Sequence, residues 1–107
     1  MAIYCFEFST KIECMQDGAE NNSIKLIKTL GSIIEKHRKE QGKTIYKISA
    51  ESSMSKSTWR EAELGVCKNM TITTLWKIEE GLDIAPAILM EELSNKLGKD
   101  FTLSDFD

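Results

Sequence analysis

Thr44-Ile45-Tyr46-Lys47-Ile48-Ser49-Ala50-Glu51-Ser52-Ser53-Met54-Ser55-Lys56-Ser57-Thr58-Trp59-Arg60-Glu61-Ala62-Glu63-Leu64-Gly65 reads as two short helices joined by a tight break. Ile45 and Ile48 share one side of the first, which spans Thr44 to Ser52. Ser53-Met54 interrupts it, Ser55 is a good N-cap for a second helix from Lys56 to Leu64, and Gly65 stops that helix. Two short helices separated by such a turn leave the second projecting, with its N-terminal end exposed. Here that end carries hydroxyls, Lys56 and Arg60 on its outward turns, while Trp59 and Ala62 lie three apart on the inward side. A large apolar residue at an inward position belongs to a core, so Trp59 is read as packing and not as a base-stacking group. A major groove about 12 Å wide admits one such helix and brings its first turns to base edges.

The neighbouring segments are helical as well. Upstream, Ser23 is read as the cap of a helix with Ile27, Leu30 and Ile34 on one stripe, ending at Gly42. Downstream, a loop from Val66 to Met70 leads to Thr71, which caps a helix through Leu82 with Ile72, Leu75, Ile78 and Leu82 as its stripe. Pro86 stands in a first helical turn, and Leu89, Leu93 and Leu97 line a last helix closed by Gly98. The expectation is an all-α domain of five helices over 23–98. An acidic, frayed tail over 99–107 follows it. Residues 1–22 form an N-terminal extension. Ile3 to Phe8 is rich in aromatic and β-branched types and reads as extended, and Gln16 to Asn22 is a linker of turn formers. A single strand is not stable alone. It pads the domain, pairs with a second subunit, is disordered, or is dispensable with translation starting at Met15.

The chain has 107 residues, 41% of them hydrophobic and 29% charged, which suits one ordinary globular domain and argues against wholesale disorder. No apolar run approaches the roughly 18 residues of a membrane span, and Met1 to Phe6 lacks the basic start of a secretory signal, so a cytoplasmic protein is expected. Cys5, Cys14 and Cys67 are odd in number and widely spaced, and there is one histidine, so neither a disulfide framework nor a four-ligand zinc site can be drawn. No metal and no cofactor is expected. The net charge is −3, but its distribution is uneven: residues 24–72 hold ten Lys or Arg against five Glu, whereas 1–23 and 73–107 are both acidic. That basic middle is the face expected to meet a polyanion.

A resemblance is carried by Leu30-Gly31, Ile34, Arg38, Gly42, Ile48-Ser49, the run Met54-Ser55-Lys56-Ser57-Thr58-Trp59, Glu63 and Gly65. It resumes at Lys68-Asn69-Met70-Thr71-Ile72, Thr74-Leu75, Ile78, Leu82 and Ile84. Over about 60 residues the chain resembles the phage Cro/repressor-type (Xre-like) helix-turn-helix family. Within that family, Lys68 to Ile72 and the Ser52-Ser53-Met54 turn are most similar to controller proteins of restriction–modification systems. The resemblance implies a five-helix lambda-repressor-like fold. It implies that Lys56, Ser57 and Glu61, with Arg60 nearby, meet base edges. Lys56 would donate to guanine O6 or N7 and Glu61 would accept from a cytosine amino group. Thr44, Ser55, Thr58, Lys68 and Asn69 would hold phosphates, and Arg38 with Glu63 would form a structural ion pair. The chain departs from the family at Ile45, where relatives carry a glutamine that touches phosphate or braces the recognition helix. It departs again at Ser53, in place of the turn glycine, and at His37, in place of a core leucine.

The expected function is a sequence-specific, DNA-binding transcriptional regulator, a repressor or controller, acting as a homodimer on double-stranded DNA. Ile88, Leu89, Leu93 and Leu97 are the candidate dimer surface, with the same residues as core the competing reading. Trp76, off its helix's stripe, is a candidate protein interface, with a place in the core as the competing reading. The rival function is an antitoxin-like protein-interaction module with weak or no DNA binding. His37 reads as a structural histidine, since no nucleophile or orienting acid lies at a telling spacing. Glu79-Glu80 and Glu91-Glu92 read as solvated surface. With no phosphate loop, GxGxxG or nucleophile elbow, no catalytic residue is assigned and an enzyme is not expected.

Overall fold

The computed structural model describes residues 17–67 and 70–104. Over that range the chain is all-helical: α1 spans Asp17–Glu40, α2 Ile45–Glu51, α3 Lys56–Leu64, α4 Ile72–Leu82 and α5 Pro86–Leu97. The expected extended segment before residue 17 lies outside the described residues, as do Lys68, Asn69 and the last three positions.

Local chemistry starts three of the helices. Thr44, Ser55 and Thr71 are extended N-caps, and each hydroxyl accepts a backbone N–H three residues on, from Lys47, Thr58 and Thr74, all at 3.1 Å. α3 ends at Gly65 in the left-handed region, where Val66 N–H reaches the Glu61 carbonyl at 3.1 Å. Ser53, in the α2–α3 turn, has φ +59°, a conformation that costs a non-glycine residue roughly 1 kcal/mol. This serine therefore keeps a backbone conformation that glycine adopts without strain.

α1 differs from its expected start. It begins at Asp17, not at Ser23, so the Gln16–Asn22 linker is helical from Asp17 onward. Asn22 is tied down: its side-chain amide donates to the Thr102 carbonyl at 2.8 Å, a tertiary bond that outweighs the weak helix preference of this stretch. The same contact corrects the frayed tail. Through Ser104 the chain turns back on α1 and α5, and Phe101 and Thr102 are half-buried there.

One core holds the helices together: Leu30, Ile33 and Ile34 of α1, Ile48 of α2, Trp59 and Ala62 of α3, Ile78 and Leu82 of α4, and Leu89 and Leu93 of α5. Ile33, absent from the expected stripe, is fully buried, while Ile72, placed on it, is 73% exposed. Leu89 and Leu93 belong to this core and are not available as a dimer surface. Of the four α5 residues proposed for pairing, only Ile88 is exposed, and Leu97 packs partly on the core. Glu79 also departs from its solvated reading: it is 2% exposed, with neither carboxylate oxygen hydrogen-bonded. Burial raises its pKa, because the ion would lose its hydration.

Candidate nucleic-acid interface

α3 is fixed from beneath. A Cβ on Gly31 of α1 would overlap the carbonyl oxygens of Ala62 and Glu63, so the α1 and α3 backbones meet directly at this point. At the far end of α3 a Cβ on Gly65 would lie 2.7 Å from the Lys28 Cα. Trp59 and Ala62 plug the inward face and are fully buried. Around them runs a polar clamp. Glu63 accepts from Arg38 Nε and Nη2 (the latter at 3.0 Å) and from the Trp59 indole N–H at 2.6 Å, while Arg38 Nη1 donates to the Lys43 carbonyl at 2.8 Å. The clamp joins α1, the α1–α2 turn and α3 through side chains only 11% and 6% exposed at Arg38 and Glu63. The hydrogen bond to Glu63 is the chief reason the Arg38 guanidinium holds its proton even more firmly than usual.

With its inner face occupied, α3 turns the rest outward. Lys56, Ser57, Arg60 and Glu61 are all exposed on its first turns. Ser55 and Thr58 have local work: besides capping, the Ser55 hydroxyl donates to Thr58 Oγ1 at 2.8 Å, so the two hydroxyls order the start of the helix. Thr44 caps α2 and is likewise exposed. Lys68 and Asn69, expected at phosphates, lie outside the described residues.

The positive charge is more focused than the sequence count. Four of the basic residues between 24 and 67 are held by carboxylates: Lys36 by Glu92 at 3.2 Å, Arg38 by Glu63, Lys39 by Glu35 at 3.0 Å and Lys43 by Glu51 at 2.8 Å. The Lys43 contact keeps the Glu51 carboxyl below its ordinary pKa. Lys25, Lys28, Lys47, Lys56 and Arg60 have no ion-pair partner among the described residues, and three of those five stand on α2 and α3. Lys56 has a different neighbour. Its Nζ lies 5.3 Å from the ring centroid of Tyr46, a residue of α2 that is 70% exposed. Sequence reasoning passed over Tyr46. An exposed aromatic ten residues before the start of α3 was the available signal.

His37, by contrast, does have a carboxylate beside it: Nε2 and Glu92 Oε1 are 2.7 Å apart, and Lys36 shares the same carboxylate. Glu92 is thereby drawn out of its solvated reading into a link between α1 and α5, with its pKa lowered chiefly by the hydrogen bond to His37. Among the described residues no group of three or more His, Cys, Asp or Glu is placed to hold a metal ion, and no helix is long and apolar enough to cross a membrane. Trp76 and Ile72 are exposed on α4, where with Thr73 and Lys77 they line a shallow groove. In the comparisons with known proteins, no family model, curated protein or solved structure matches the chain.

Proposed function

We propose that the protein is a sequence-specific, DNA-binding transcriptional regulator of the cytoplasm that places α3 in the major groove and acts as a homodimer. The observation that carries this reading is the division of α3: Trp59 and Ala62 fully buried, and Lys56, Ser57, Arg60 and Glu61 exposed together on the opposite face. Lysine and arginine there donate to guanine, and Glu61 accepts from cytosine. Lys47, with the ordered hydroxyls of Ser55 and Thr58, addresses phosphates and sets register without reading sequence. The resemblance to Xre-like regulators supports the same assignment. One helix makes too few contacts for specific affinity, so two copies bind half-sites about one helical turn apart, roughly 34 Å.

The test is selection of bound duplexes from a random pool, followed by titration of the selected duplex in rising salt. A regulator yields a two-fold-related consensus, binding that weakens steeply with salt, and a loss of discrimination in Lys56→Ala and Arg60→Ala. A pool without enrichment, or binding indifferent to both substitutions, overturns the reading. The exposed pair Ile72 and Trp76 favours the second reading, an antitoxin-like protein-interaction module with weak or no DNA binding, which predicts at most feeble enrichment, indifferent to Lys56→Ala and Arg60→Ala.

A further inference from the structure

We propose that Tyr46 is a positioning residue for Lys56, holding the ammonium group in place for a base contact without neutralising it. The inference rests on the DNA-binding reading and deepens it. Lys56 is the first residue of α3, and its Nζ lies 5.3 Å from the Tyr46 centroid, inside the roughly 6 Å range over which a ring face attracts a cation. The ring is not there for packing: Tyr46 is 70% exposed, and the partly buried residues supporting the core on α2 include its neighbour Ile45 and not Tyr46.

A second lysine, in the α1–α2 turn, supplies the contrast. Lys43 is held by Glu51, at 2.8 Å, and the carboxylate cancels its charge. Lys56 is held by a neutral ring, and its full charge and all three N–H donors remain for an acceptor. A free lysine must lose much rotamer freedom to meet guanine O6 or N7, and a stem already restrained loses less. Tyr46 therefore acts on how well Lys56 discriminates among bases, and it does so from a different helix.

The experiment uses the full chain and the duplex selected from the random pool. Equilibrium binding is measured for the wild type, Tyr46→Ala, Tyr46→Phe, Lys56→Ala and the double variant Tyr46→Ala/Lys56→Ala, on that duplex and on versions with each base pair replaced. Tyr46→Ala is expected to lower discrimination about two- to fivefold, the range of an exposed cation–ring contact. The loss should fall at the base pair that Lys56→Ala also blinds, with the salt slope unchanged. Tyr46→Phe keeps the ring and should restore discrimination. In the Lys56→Ala background, Tyr46→Ala should change nothing further. Equal discrimination by wild type and Tyr46→Ala overturns the inference and leaves the DNA-binding reading standing, as does a loss that persists when Lys56 is already alanine. A wild type that enriches no duplex overturns both, and a thermal melt of each variant separates these outcomes from misfolding.

Discussion

Replacing Glu63 by alanine should do more damage than its partial exposure suggests. Glu63 receives three donors, two from Arg38 and one from the Trp59 indole, and both side chains of the ion pair are nearly buried. Alanine leaves the guanidinium with the Lys43 carbonyl alone and leaves the indole N–H unpaired. Breaking a buried pair on one side costs about 3–5 kcal/mol, because the remaining charge has lost its compensation. The orphaned indole overlaps with that figure and does not simply add to it. In a domain of this size 1 kcal/mol moves Tm by about 4–8 °C, so Glu63→Ala should melt at least about 10 °C below the wild type. Arg38→Met/Glu63→Leu removes both charges and should be more stable than Glu63→Ala, since no ion is left behind. Urea titration followed by circular dichroism measures the wild type, Glu63→Ala and the closed cycle of Arg38→Met, Glu63→Leu and their combination. A cost below about 1 kcal/mol for Glu63→Ala, or single-variant costs that merely add in the pair, would refute the clamp as the tie between α1 and α3.

Two further outcomes follow from single positions. Gly31→Ala puts a methyl against two backbone carbonyl oxygens of α3, an overlap that only a shift of the helix relieves. It should cost about 1–3 kcal/mol by thermal melt, and a melt equal to the wild type would mean that α1 and α3 stand farther apart than described. Glu79→Gln should be more stable than the wild type at neutral pH, because the amide brings no charge into the buried site, although its polar atoms are left as unpartnered as those of the carboxylate. The sign with pH is definite. Burial raises the folded pKa of Glu79 above its ordinary value of 4.5, so as pH climbs past 4.5 the unfolded chain gives up that proton first and the wild type loses stability. The variant has no such loss. Its advantage should therefore grow from pH 4.5 toward neutrality, and a gap that stays constant over that range would be the failing result.

What the sequence made legible was whatever is decided within one turn of helix. Thr44, Ser55 and Thr71 cap because a hydroxyl reaches an N–H three residues away, and Gly65 ends α3 because glycine takes a left-handed φ without strain; both are local facts. Trp59 and Ala62 were legible as inward because three-residue spacing fixes a face. Several of the misses concern partners far along the chain. Glu92 reads as solvated until His37, fifty-five positions away, is set against it, and Asp17–Asn22 reads as a linker until Asn22 meets Thr102 across eighty. Leu89 and Leu93 satisfy a dimer stripe and a core stripe equally well, and only the presence of α1 against α5 decides for the core.

The same logic changes the electrostatic case for DNA. Counted along the chain, residues 24–72 form one broad basic block. In three dimensions Lys36, Arg38, Lys39 and Lys43 are turned to carboxylates, and their charges serve the fold. On α2 and α3 the cations without a carboxylate partner among the described residues are Lys47, Lys56 and Arg60, and all three are exposed. On the proposed reading a net charge of −3 does not bar a nucleic acid, since a few unneutralised cations within a Debye length of the groove outweigh charges lying farther from it. A neutral ring under Lys56, where a carboxylate would have closed the account, is consistent with that economy of charge.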